Sequence, residues 1–126
     1  MEKKNIESFY KELKTNVSKI DDLNIWQEYD WSENNGIENS AIMTELAREI
    51  SKWNPKTGYG DFSAFFQTIE DGFLNYDKTT SSYLATDFLV TIMEIKDKFI
   101  RDEIKKFMRN ETQKQYREML HFYREL

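Results

Sequence analysis

Asp61-Phe-Ser-Ala-Phe-Phe-Gln-Thr-Ile-Glu-Asp-Gly-Phe73 decides the fold class of this chain. Its apolar residues, Phe62, Phe65, Phe66, Ile69 and Phe73, recur at intervals of three and four, so one side of an α-helix is a continuous apolar stripe. Asp61 stands where an N-cap belongs, its side chain placed to accept from the first free N–H groups of the turn that follows. The same rhythm runs outward in both directions. Ile6, Phe9, Tyr10, Leu13, Val17 and Ile20 predict a first helix over about 4–20. Ser40 is a plausible cap for a helix carrying Ile42, Met43, Leu46, Ile50 and Trp53, which Asn54-Pro55 stops. Beyond the central stretch, Asn75-Tyr-Asp-Lys78 makes a turn, and Thr79 or Thr80 caps the most apolar helix, with Tyr83, Leu84, Phe88, Leu89, Ile92, Met93 and Ile95. Phe99, Ile100, Ile104, Phe107 and Met108 predict a short helix. Asn110 with Gln113 has the spacing of a capping box opening a last helix with Tyr116, Met119, Leu120, Tyr123 and Leu126.

One proline and four glycines in 126 residues, with almost no β-branched alternation, leave no room for sheet. The expectation is therefore an all-α chain, a single domain over 1–126 folded as a compact bundle of five to six helices. No repeat of solenoid period is visible. Residues 21–39 are the least regular part and end in the turn-rich run Ser-Glu-Asn-Asn-Gly-Ile-Glu-Asn-Ser. There is no cysteine, which excludes disulfides, thiolate metal sites and cysteine nucleophiles and fits a reducing, cytoplasmic setting. The start, Met-Glu-Lys-Lys-Asn, leads into an amphipathic stretch without an apolar signal-type region, and no run reaches membrane-spanning length.

Charge is unevenly placed. Five lysines face three acids in residues 1–19, fourteen acids face four bases in 20–95, and nine bases face six acids in 96–126. Between Lys19 and Arg48 there is no base at all. A net charge of −5 argues against nucleic acid as the partner. Inside the base-free window lies Trp26-Gln-Glu-Tyr-Asp-Trp31, rings alternating with carboxylates, followed by Glu33. Trp26, Glu28, Tyr29, Asp30, Trp31 and Glu33 are the candidate partner-binding residues, because aromatic anchors within a charged rim concentrate binding energy. Two readings stay open: both indoles tuck into the bundle and the acids are merely solvated, or at least one ring stays at a surface that grips a basic protein.

Other constellations are weaker. Glu118-Met-Leu-His121 has the spacing of one arm of a di-iron site, but such a site needs two arms and His121 is the only histidine. Arg117 and His121 are similar to the Arg-x(4–6)-His signature of helical ribonucleases, one residue short of it, in a chain too acidic to attract an RNA backbone. Asp87 and Glu94 share a helix face and Glu70-Asp71 lies nearby, but catalysis needs carboxylates opposed in a cleft, and helix capping or bridging is the simpler use. Lys105-Lys106 with Arg101 and Arg109 reads as a solvated helix face. No phosphate loop, nucleophile elbow or dinucleotide fingerprint occurs. No metal and no cofactor is expected.

A resemblance adds to this. Gly60-Asp-Phe-Ser-Ala-Phe-Phe-Gln-Thr-Ile-Glu-Asp-Gly-Phe73, Leu84-Ala-Thr-Asp-Phe-Leu-Val-Thr-Ile-Met-Glu94 and Phe107-Met-Arg-Asn-Glu-Thr-Gln-Lys-Gln-Tyr-Arg-Glu-Met119 occur in an order that resembles a small bacterial all-helical domain family of uncharacterised function, found among candidate toxin-immunity proteins. The likeness covers about two-thirds of the chain, from Ser40 onward, and rests on apolar and capping positions, which are signals of fold. It departs at Arg109-Asn110, where a glycine-containing turn is expected. What the resemblance implies is a non-enzymatic immunity-type protein that neutralises a cognate bacterial toxin. The alternative is a structural or regulatory adaptor.

Overall fold

The computed structural model describes residues 3–124, with the side chain of Arg124 left aside. The chain is all-helical and compact, and among the described residues the one β-type pairing is an isolated parallel bridge between Lys4 and Tyr76. Helix α1 (Ile6–Asn16) starts at Asn5, whose side chain accepts from the Ser8 N–H at 3.1 Å. It ends one turn earlier than its apolar period predicts. The Asn16 amide leaves the helix to donate to Thr68 Oγ1 at 3.0 Å, and the β-branched Val17 turns extended before the single turn α2 (Ser18–Asp21). Another single turn, α3 (Ile25–Glu28), lies within the segment expected to be irregular. These two turns are why the expectation of five to six helices falls short: tertiary packing makes helix where local propensity is too weak to nucleate it.

Helix α4 (Gly36–Ile50) begins at Asn35, whose side chain accepts from the Glu38 N–H at 3.2 Å. The cap expected at Ser40 is displaced; Ser40 lies inside the helix and its hydroxyl donates to Asp87. Helix α5 (Tyr59–Asn75) has Gly58 at its N-cap, three residues before the cap expected at Asp61, and Asp61 instead pairs with Lys19 at 3.2 Å. The next helix, α6, is continuous over 78–93 with a π-helical middle at Leu84–Leu89, and its cap is Asp77, not Thr79 or Thr80: the Asp77 carboxylate accepts from the Thr80 N–H and hydroxyl. Helix α7 (Lys98–Lys105) is capped by Asp97.

Helix α8 (Asn110–Arg124) is capped from outside. Glu70 of α5, 8 % exposed, accepts from the N–H groups of Glu111 and Thr112, both at 2.9 Å, and from Thr112 Oγ1 at 2.8 Å. The expected Asn110/Gln113 box does not form; the Gln113 amide turns back to the Met108 carbonyl at 2.7 Å. A carboxylate is suited to this place because it neutralises both the free N–H groups and the positive end of the helix.

The core lies where α1, α4, α5 and α6 meet. Phe9, Tyr10, Phe62, Phe65, Phe66 and Phe88 are all fully buried, and the Phe88 ring lies 5.6 Å from Phe65 and 6.2 Å from Phe66. Such offset and tilted pairs contribute beyond the area they bury. Helix α5 approaches its neighbours at Gly72, where a β-carbon would stand 2.7 Å from Leu84 Cδ1 and 2.8 Å from Phe9 Cε1. The apolar positions of α8 fade along its length: Tyr116 is buried, Met119 and Leu120 are half-buried, Tyr123 is exposed, and the position expected at Leu126 lies outside the described residues.

A candidate acidic docking surface

The path of residues 21–39 is set by three buried or half-buried groups. Asn39, fully buried on α4, accepts from the Tyr10 hydroxyl at 2.7 Å and donates to the carbonyls of Ser32 and Asn35 at 2.8 and 2.9 Å. One amide thus ties the loop to α1 and α4, satisfying backbone oxygens that the turn leaves free. Burial, and then the nearby Tyr83 and Asp87, push the Tyr10 hydroxyl well above the ordinary tyrosine range, so it remains a proton donor to Asn39. The indoles do the rest. Trp26 donates its Nε1 hydrogen to the Ile20 carbonyl at 2.8 Å, and its ring lies 5.3 Å from Tyr10 and 6.1 Å from Trp31.

Trp26 and Trp31 are half-buried, neither sealed inside nor free. Lys14 of α1 places its ammonium 5.3 Å from each ring and 3.8 Å from Asp21, so a cation of the chain itself already occupies the indole pair. That limits what the tryptophans can offer a partner. Trp26 in particular pins α3 against α1.

The remaining candidates face outward. Glu28, the last residue of α3, is exposed, and its carboxylate makes no hydrogen bond or ion pair among the described residues, its backbone N–H going to the Asn24 carbonyl at 3.0 Å. Tyr29 follows it in extended conformation, half-buried. Asp30 is exposed; its carboxylate accepts from the Ser32 N–H at 3.1 Å and the Asn35 amide at 3.3 Å. The Ser32 backbone bond first, and Asn35 second, hold this carboxyl below its ordinary range, so the charge is firmly present at neutral pH. Glu33 is exposed, accepts from the Asn5 amide at 3.0 Å, and donates its backbone N–H to the Glu7 carboxylate at 3.0 Å.

Together Glu7, Tyr29, Asp30, Trp31 and Ser32 line an open recess of about 280 Å³. The structure therefore gathers Tyr29, Asp30 and Trp31 in one recess with Glu33 at its edge, and leaves Glu28 on the adjoining turn. Nothing in the local sequence around Glu7 marks it for this site. It belongs to the first, lysine-bearing stretch, and only the bend of the chain through Val17 and Asn39 brings it against Glu33.

The other constellations are used structurally. Glu70 caps α8, Asp87 accepts from Ser40 and Thr86, and Glu94 is exposed at the end of α6, so the three do not oppose one another across a cleft. Glu118 and His121 lie on exposed turns of α8, and among the described residues no group of histidine, cysteine, aspartate and glutamate is arranged to hold a metal ion. The basic face of α7 is less solvated than its sequence implies: Arg101 donates to the Ile95 carbonyl at 2.6 Å, and Lys105 stands 5.1 Å from the centre of the Tyr116 ring. No helix among the described residues is long and apolar enough to cross a membrane. No protein-family model matches the chain, and no curated protein or solved structure is significantly similar to it.

Proposed function

We propose that this chain is a non-enzymatic binding protein whose acidic, ring-bearing flank docks a basic protein. The observation that carries the reading is the group formed by Glu7, Asp30 and Glu33 around Tyr29 and Trp31, with the exposed Glu28 on the adjoining turn. None of these carboxylates has a lysine or arginine partner among the described residues, while the six ion pairs recorded there all lie elsewhere. Solvated, unpaired charge of one sign beside a recess steers an oppositely charged partner and fixes its register. An arginine or lysine entering the recess meets the Asp30 and Glu7 carboxylates at its head and the Tyr29 ring along its stem.

In the immunity-type form of this reading the basic partner is a cognate bacterial toxin, held in the cytoplasm with its active site occluded. That form derives from the sequence resemblance; the flank supports only the basic character of the partner. An adaptor that presents the same flank to another basic protein is the second form. Glu28→Lys is the cleanest probe, since Glu28 holds nothing in place, whereas Asp30→Lys would undo the Ser32 turn and Trp26→Ala would loosen α3. Reversing a charge at the flank is expected to lower affinity for the isolated basic partner about tenfold or more, with most of the loss in the association rate at low salt. Binding unchanged by Glu28→Lys and insensitive to salt would remove the flank from consideration. Rescue of cells from the partner's toxicity, by wild type and not by the variant, separates the immunity form from the adaptor form.

A further inference from the structure

A second recess carries the opposite chemistry. Between α7 and α8, Lys105, Met108, Gln113, Tyr116, Arg117 and Leu120 line a recess of about 220 Å³, with room for one ring. Its floor is the buried Met108 and Tyr116 with the half-buried Leu120, and its rim holds Lys105 and the exposed Arg117, which has no ion pair among the described residues. This recess belongs to residues 96–126, where bases outnumber acids by three. An apolar slot between two cations fits a side chain that is itself flanked by carboxylates. Glu28-Tyr29-Asp30 of this same chain has that pattern: one partly exposed ring between two exposed acids.

We propose that the α7–α8 recess receives the Glu28-Tyr29-Asp30 turn of a second copy, joining molecules head to tail. Tyr29 enters over Tyr116 and Leu120, and Glu28 and Asp30 meet Arg117 and Lys105. The two surfaces are different patches, so the contact is heterologous and leaves a free flank at one end and a free recess at the other. The net charge of −5 opposes association, but at physiological ionic strength charges beyond about 8 Å are screened while contacting pairs persist. This inference rests on the reading of the flank as a docking surface. It adds a consequence: a flank engaged by another copy is closed to the basic partner, so self-association and partner binding compete.

Sedimentation of the full chain over a concentration series tests it, with Glu28→Lys and Arg117→Glu as variants; both positions are exposed, so folding is preserved. Wild type is expected to self-associate in open-ended fashion, and each variant alone to do so at least tenfold more weakly. A mixture of the two variants offers the native contact between the intact flank of one and the intact recess of the other, and opposite charges with their signs exchanged in the second contact, and is expected to recover association that neither variant shows alone. Wild type that remains monomeric, or Arg117→Glu that associates as wild type does, overturns the proposal. If wild type is monomeric while Glu28→Lys still weakens the basic partner, the head-to-tail contact falls and the proposed function stands. If Glu28→Lys changes neither, both fall.

Discussion

Replacing Glu70 by alanine removes the one carboxylate that holds the start of α8. In the native protein this side chain, 8 % exposed, accepts three hydrogen bonds of 2.8–2.9 Å from Glu111 N, Thr112 N and Thr112 Oγ1. A hydrogen bond to a charged group is worth roughly 1.5–3 kcal/mol and a buried donor left unpaired costs about 1–3 kcal/mol. The three share one acceptor and are not additive, and water reaches Glu111 more readily than the fully buried Thr112. A loss of about 3 kcal/mol is expected, which for a chain of this size lowers Tm by about 10 °C. Glu70→Gln retains one acceptor oxygen but no charge and should lose about half as much. Urea unfolding with an unchanged m-value gives the free energy. Hydrogen exchange at Glu111 and Thr112 then shows whether the loss sits at the helix start. A Glu70→Ala protein within about 0.5 kcal/mol of wild type, or one whose exchange quickens everywhere equally, refutes the capping account.

Gly72→Ala sets overpacking against helix propensity: the new methyl would meet Leu84 and Phe9 inside 3 Å, costing about 1–3 kcal/mol, while alanine in a helix gains at most about 1 kcal/mol. Net destabilisation is expected in thermal unfolding, and a stabilised variant would show that the α5 contact has slack. Alkaline titration should leave Tyr10 and Tyr76 un-ionised well above the ordinary tyrosine range. Burial raises both, and the nearby Glu12 carboxylate raises Tyr76 further. Because the folded hydroxyls ionise above the unfolded value of 10.0, this contribution to stability is fully present below pH 10 and is lost as pH rises beyond it. Ultraviolet absorbance showing that Tyr10→Phe and Tyr76→Phe each remove a phenol that ionises at the ordinary pH in the folded protein would contradict that burial.

Helix class, the apolar stripes and the acidic aromatic segment were all legible in the residues, because three-and-four spacing and local charge are properties of neighbouring positions. Phe62, Phe65, Phe66 and Ile69 line the core as their spacing predicts. The helix starts were not legible. Asn35 and Asp77 outcompete Ser40 and Thr80, and α8 takes its cap from Glu70, a residue forty-one positions away from the N–H of Glu111. Capping is a choice among several nearby acceptors, and a distant carboxylate is invisible to any local window.

By itself the sequence determined that the chain is helical, where its apolar faces run, and that rings and acids alternate over 26–33, since each of these depends only on residue type and spacing. Tertiary structure alone decided that Lys14 covers the two indoles, that Glu7 joins Asp30 and Glu33, and that Glu28 is left without a counter-ion. Those outcomes depend on which side chains meet when α1 packs against the 21–39 segment, and that meeting is fixed by the burial of Tyr10 and Asn39 in one shared hydrogen bond.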